Sequence, residues 1–181
     1  MDKQRRQSAW LARCAPIPLR LIIGYGFMAH GIAKWSRGFD AFPAIVQAIG
    51  IPAPYLMGWA TILVEVFGGL AILLGAYVGL AVVPMLAILL VAMFTVHLQY
   101  GFSSIKLIAV TPAGAQFGPP GYETDLLYIA CMVALLLLGA GPWSIDGWRR
   151  NVARQRNAGS RRTTDANGAV ASIVRAVAGA R

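Results

Sequence analysis

Residues 77–100 read YVGLAVVPMLAILLVAMFTVHLQY, without one aspartate, glutamate, lysine or arginine. An α-helix rises 1.5 Å per residue, so about 20 apolar residues cross the roughly 30 Å of bilayer hydrocarbon. This stretch is long enough to cross with residues to spare. A soluble helix of that length would show a polar stripe, and none is present here. Pro84 lies near its start and predicts a kink.

Three further stretches pass the same reading: Pro16 to Trp35, Tyr55 to Gly75, and Thr124 to Ala140. The last is the shortest, but its CMVALLLLGA core is strongly apolar. Between the second and third, Gly75, Ala76 and Gly79 form an uncharged link, so those two spans are expected to be antiparallel neighbours. The sequence therefore predicts an all-α membrane protein, a four-transmembrane-helix bundle. Composition agrees: 57% of the 181 residues are hydrophobic, 13% are charged, and the mean hydropathy is +0.62. A soluble domain carries roughly 25% charged residues. The first apolar run resembles a signal peptide but continues into HGIAKWSRGF, which lacks a small-x-small cleavage site, so it is expected to be retained.

A net charge of +9 raises the question of nucleic acid, and the placement of the charge argues against it. Lys3, Arg5, Arg6, Arg13 and Arg20 precede or open the first span. Arg149, Arg150, Arg154, Arg156, Arg161, Arg162, Arg175 and Arg181 follow the fourth. Only Lys34, Arg37 and Lys106 lie elsewhere. Basic flanks stay in the cytoplasm, so both termini are expected inside, as an even number of spans requires.

Three regions follow. Residues 1–15 form a basic cytoplasmic tail, residues 16–148 the membrane domain, and residues 149–181 an Arg-rich tail, disordered or weakly helical, held near anionic lipid. In the first outer loop, Phe42, Ile45, Val46 and Ile49 recur at helical spacing, with Asp40 as cap and Gly50 as stop. This predicts a short helix at the outer interface. The second outer loop, Gly101 to Glu123, holds IKLIAV, a short strand or interfacial segment. After the fourth span, Ser144 is placed to cap a short turn.

Ionisable groups inside a bilayer are costly, so each is a candidate for function. Glu65 lies near the midplane of the second span. His30 and Lys34 lie four residues apart in the outer half of the first, so helical spacing puts them on one face. His97 ends the third span, and Glu123, Asp125 and Tyr128 open the fourth. Together they predict a polar pocket open to the outer face, floored by Glu65, with His30, Lys34, His97 and Tyr128 as ligand candidates. Plainer readings stand beside it. Lys34 can snorkel, His97 can be an interfacial polar residue, and Glu65 can fix helix packing. Glu123 and Asp125 suit a solvated helix start. Arg20 sits apart at the inner end, facing phosphates or the bundle. No clustered metal-ligand motif is present. Haem is disfavoured, because His30 and His97 differ in depth and no second pair exists. Cys14 and Cys131 form no CxxC and read as unpaired thiols. Gly68, Gly69 and Gly75 suit close helix contact.

Taken in order, several segments resemble the DoxX family of small bacterial four-span membrane proteins. Arg20 opens a span ending in His30-Gly31-Ile32-Ala33-Lys34, similar to an HGxxK ending. Ile49-Gly50-Ile51-Pro52-Ala53-Pro54 is similar to LGxPxP, with Ile where Leu is usual. Glu65-Val66-Phe67-Gly68-Gly69 followed by Leu73-Leu74-Gly75 is similar to ExxGG…LLG. His97 and Gly101-Phe102 follow, and Gly141-Pro142-Trp143-Ser144-Ile145-Asp146 is similar to a closing GPGxxSxD, with Trp143 where Gly is usual. The resemblance spans about residues 16–148 and leaves out the Arg-rich tail.

That resemblance implies a multi-pass protein of the bacterial plasma (inner) membrane in a respiratory or redox setting. Family members include a subunit of a thiosulfate:quinone oxidoreductase and membrane partners of sulfur- or superoxide-handling enzymes. The family has no settled catalytic set, so Arg20, Gly31, Gly68, Gly69 and Asp146 are carried over only as structural motif positions. The leading expectation is a membrane subunit of a redox system with a redox-enzyme partner, binding a quinone or small sulfur compound. A non-catalytic scaffold anchoring a soluble enzyme through the arginine tail is the first alternative. A small transporter or channel, which with four spans requires a homo-oligomer, is the second.

Overall fold

The computed structural model describes residues 2–158. Helix α1 (Asp2–Cys14) is exposed and basic, with Trp10 and Leu11 on its surface. Pro16 and Pro18 open α2 (Pro16–Ser36), where a missing amide hydrogen costs nothing. Helix α3 (Ala41–Ala48) is the expected short helix of the first loop, and it buries Pro43 and Val46. Asp40 stands at its start but makes no side-chain cap; its backbone carbonyl accepts from the Ala44 amide instead. The predicted side-chain cap is therefore replaced by a main-chain bond.

The next helix is continuous over Pro54–Leu74 but is not uniformly α. Helix α4 (Pro54–Leu63) passes into a π-helical turn, Val64–Gly68, and then into α5 (Gly69–Leu74). The following helix does the same: α6 (Val78–Ala92) passes into a π-helical turn, Met93–His97, and a 3₁₀ turn, Leu98–Tyr100. Pro84 lies inside α6. In the second loop, strand β1 (Leu107–Thr111) pairs antiparallel with β2 (Gly114–Phe117), with Leu107 opposite Phe117 and Thr111 opposite Gly114. IKLIAV thus supplies a strand, and its partner GAQF went unread because it lacks β-branched residues. Helix α7 (Glu123–Leu138) follows, and residues 145–158 form the last described helix, α8. The expected tail begins inside α8, and residues 159–181 lie outside the described residues.

Pro54–Leu74 and Val78–Tyr100 are long and apolar enough to cross a membrane. Helix α2 has 21 residues but carries Arg20, His30 and Lys34, and α7 has 16 residues.

The packing is inverted relative to a soluble protein. Leu80, Val83, Phe94, Leu127 and Leu137 are exposed, whereas Arg20 is 6%, Glu65 4% and Asp125 3% exposed. Soluble domains almost never bury charges while showing leucines in this way. A hydrocarbon solvent rewards both features. The apolar centre joins Ile23 and Phe27 of α2, Ile72 of α5, Val78, Val82 and Met85 of α6, and Met132 and Leu135 of α7.

Glycine sets how closely α2 meets α5. A Cβ on Gly24 would stand 2.8 Å from the Gly69 carbonyl oxygen, and one on Gly69 would stand 2.7 Å from that of Gly24. The two backbones touch, as small residues allow inside membranes. Gly31, two turns on, lies against Val66 and Glu65 in the same way. This contact brings the end of α2 onto the first π-helical turn.

Candidate functional site

Two clusters of polar groups occupy opposite ends of the bundle. At the end holding the start of α2 and the end of α7, Arg20 reaches only backbone carbonyls. Nε donates to Ile72 at 3.1 Å and Nη2 to Leu73 at 2.7 Å. Nη1 donates to Ala140 at 3.1 Å and to Pro142 at 3.3 Å, and both Nη atoms reach Trp143 at 3.3 Å. The last carbonyls of a helix lack intrahelical partners and carry partial negative charge. One guanidinium therefore joins the last turn of α5 to the link that follows α7.

The glycine at the end of α5 makes room for this. Gly75 is left-handed at φ +65°, and a Cβ there would meet Ser144 Cβ and Arg20 Cζ. Asp146 completes the joint. Its two carboxylate oxygens accept from the amides of Tyr77 at 2.9 Å and Val78 at 3.0 Å, capping α6. Ser144 accepts from the Gly147 amide at 3.0 Å, which is the cap expected of it at the start of α8.

The opposite end is built from side-chain pairs. Lys34 Nζ stands 2.5 Å from Glu65 Oε1, and the same ammonium lies 4.5 Å from the centre of the Phe42 ring on α3. Pro43 packs on Gly58, so α3 lies over this pair. Trp59 stacks near Trp35 and Phe39 at 6.2 and 4.6 Å between ring centres. Glu65 Oε2 and Trp59 Nε1 are buried without hydrogen-bond partners among the described residues.

The second pair joins His97 Nδ1 to Asp125 Oδ2 at 2.7 Å. The loop of residues 101–122 is fastened over the start of α7 beside it. The amides of Gly121, Tyr122 and Glu123 donate to the carbonyls of Ser103, Gly101 and Phe102. Glu123 accepts from the Ser104 amide at 3.0 Å, and Ser104 and Thr124 hydroxyls meet at 2.8 Å. Asp125 lies beneath this layer, and its side chain is 4% exposed against 28% for His97.

Each pair takes one member from a π-helical turn, Glu65 from Val64–Gly68 and His97 from Met93–His97. A π-helical turn adds a residue to the helix and recurs at functional sites. The amphipathic reading of the sequence assumed ideal helices and had no means of seeing either turn.

The structure thus joins Lys34 to Glu65 and His97 to Asp125. It does not join His30 to them. That residue is exposed on the outside of α2, although Lys34 is four residues away. The buried face of α2 is Arg20, Ile23, Gly24, Phe27 and Gly31, and His30 lies about 100° from it. The expected pocket position of His30 is corrected accordingly. Tyr128 is half-buried, its ring edge-on to Phe27 with centres 5.5 Å apart. Its hydroxyl lies over Gly26. Asp125, grouped from sequence with the polar pocket and alternatively with a solvated helix start but not among the ligand candidates, is buried against His97, 28 positions away. Cys14 and Cys131 are free and half-buried. Among the described residues no three His, Cys, Asp or Glu side chains cluster as metal ligands. A groove of about 310 Å³ between the Pro54–Leu74 and Val78–Tyr100 helices is apolar, lined by Leu63, Val64, Phe67, Gly68, Ala81 and Pro84.

Comparison with known proteins fits this arrangement. The DoxX family model matches residues 15–98, from the start of α2 through His97. An uncharacterized membrane protein of Mycobacterium tuberculosis is 31% identical over 152 residues, covering 80% of this chain and 86% of its own length. No solved structure matches. The chain belongs to the DoxX family of membrane proteins.

Proposed function

We propose that this DoxX-family membrane protein crosses the bacterial plasma membrane four times with both termini in the cytoplasm, and that it is a membrane subunit of a redox system. Helices α2 and α7 then complete the four spans. Residues 16–148 form the membrane domain, and residues 1–15 and 149–181 are its cytoplasmic flanks. The placement of lysine and arginine supports this orientation. It makes the loop-bearing end of the bundle the outer end.

The ligand is a quinone or a small sulfur compound, bound in the outer half. The observation that carries this reading is the two side-chain pairs there, each with a buried carboxylate and one member on a π-helical turn. Buried charge in a membrane is costly, and such groups mark ligand and proton pathways. An apolar bundle with a few hydrogen-bonding groups suits a quinone ring.

The test is direct. Full-length protein in lipid nanodiscs is titrated with a short-chain quinone and with thiosulfate, following tryptophan fluorescence from the Trp35–Trp59 cluster. Saturable change in the parent, weakened at least tenfold in Glu65→Gln, is expected. Flat titrations with both compounds would sink the ligand assignment. A reporter fused after residue 150 checks orientation, and a periplasmic signal would overturn it.

Helix α8 favours one second reading. Arg149, Arg150, Arg154 and Arg156 make it strongly basic, Trp148 is exposed, and Arg149 stacks on Tyr77 at 4.4 Å. In that reading the protein is a scaffold whose basic end holds anionic lipid and anchors a soluble enzyme. Truncation after residue 150 would then release the partner, while ligand binding in the outer half would persist.

A further inference from the structure

We infer that His97, oriented by Asp125, makes the site selective for the hydroxyl-bearing, reduced form of its ligand, a quinol in preference to the quinone. The inference rests on the quinone-class reading above and adds to it a direction of selectivity. It stands on the geometry of one pair. Asp125 is in the first turn of α7. A carboxylate only accepts hydrogen bonds. The contact of 2.7 Å therefore has Nδ1–H of His97 donating to Asp125 Oδ2. In the neutral ring the other nitrogen, Nε2, is left as an acceptor without a proton.

Exposure places that acceptor where a ligand can reach it. Asp125 is buried on the Nδ1 side, while His97 keeps 28% of its side chain exposed. With Nδ1 engaged by the buried carboxylate, Nε2 is the ring nitrogen left for a ligand. The buried carboxylate of Asp125 holds the ring in this orientation. A quinol presents O–H donors and a quinone presents only carbonyl acceptors. An acceptor nitrogen therefore bonds the first and faces the second with a lone pair against a lone pair.

The other outer candidates are not equivalent. Lys34 is engaged by Glu65 and the Phe42 ring, and His30 faces away from the bundle. Asp125 acts only through His97 and is a positioning residue.

Releasing the tautomer tests the idea. An asparagine at 125 can accept from Nδ1–H through its oxygen or donate to Nδ1 through its amide, so the ring is no longer held in one tautomer. Full-length protein in nanodiscs is titrated anaerobically with a decyl-benzoquinone and with its quinol, over a series of pH values. The parent is expected to favour the quinol by about tenfold, the effect of one net hydrogen bond. Asp125→Asn is expected to weaken the preference, and His97→Gln, which can both donate and accept, to abolish it. Equal binding of the two forms by the parent would overturn the inference while leaving the proposed ligand class intact. A quinol preference unchanged in His97→Gln would overturn it too. Binding of neither form would reject the ligand class and the selectivity together. Thermal unfolding of each variant separates lost recognition from lost structure.

Discussion

The two ends of the bundle bury charge by different rules. At one end a lone cation, Arg20, meets five backbone carbonyls and no carboxylate. At the other, Lys34 and His97 each meet an acidic side chain. Backbone carbonyls at helix ends are fixed, always present and untitratable, so the Arg20 joint has one state. A side-chain pair has several, because either partner can move, exchange a proton or bond something else. The spare atoms follow the same division. Arg20 uses Nε, Nη1 and Nη2, whereas Glu65 leaves Oε2 unpartnered. The first end holds helices together, and the second keeps bonding capacity in reserve.

Breaking the fixed end is expected to cost most. Arg20→Met leaves carbonyls of α5 and of the link after α7 without donors, and about 3 kcal/mol or more of stability should go, since charged hydrogen bonds contribute roughly 1.5–3 kcal/mol each. Arg20→Lys should recover only part, because an ammonium has three donors and no planar fork. Unfolding of the purified protein in detergent reads both. If Arg20→Lys is as stable as the parent, the joint does not depend on fork geometry.

The outer pair comes next. Lys34→Met leaves Glu65 buried and uncompensated and is expected to destabilise by about 2 kcal/mol, below the usual figure for a broken buried pair because Lys34 is about a quarter exposed. The double variant Lys34→Met, Glu65→Met should regain most of that loss, since paired apolar replacement is often neutral. The same exchange has no analogue at Arg20, whose partners are main chain. A double variant as unstable as the single would erase the contrast between the ends.

Gly69→Ala probes what lies between them. Its Cβ would meet the Gly24 carbonyl and Met28, so overpacking of about 1–3 kcal/mol is expected. Displacing α2 should also move Lys34 relative to Glu65, so ligand binding in the outer half should weaken with stability. If binding is untouched, the two helices do not transmit the shift. The smallest effect should come from Asp146→Ala, which removes the cap of α6 at a cost of about 1 kcal/mol. Asp146→Asn, with one acceptor retained, should fall between. Ligand binding unchanged in both variants sharpens the division, and a loss of binding would blur it.

Sequence disclosed the two ends unequally. The long helices followed from apolar length, the importance of Arg20 and Glu65 from their chemistry in apolar surroundings, and that of Asp146 from the family resemblance alone. Partners did not follow. Lys34 and Glu65 are 31 positions apart, and no periodicity names a residue on another helix. Facing was obscured by the solvent. In a membrane helix both the lipid side and the packed side are apolar, so His30 and Gly31 could not be assigned to sides by hydropathy. Gly24 and Gly31, seven residues apart, carried that information in their size. The π-helical turns had no sequence mark, because a single added residue changes neither composition nor length.

The Arg20 joint also imposes an order of assembly. Its acceptors on α5 are synthesised 52 residues after it, and those beyond α7 come at least 120 residues after it. While the chain is still emerging, the guanidinium can be answered only from α5. The last helix brings the remaining acceptors, and with them Asp146 to close α6. Completion of the bundle is thus read out by one residue near its beginning. A chain stopped after residue 138 keeps every long apolar helix yet lacks that signal, and it is expected to be cleared by membrane proteases faster than the full-length protein.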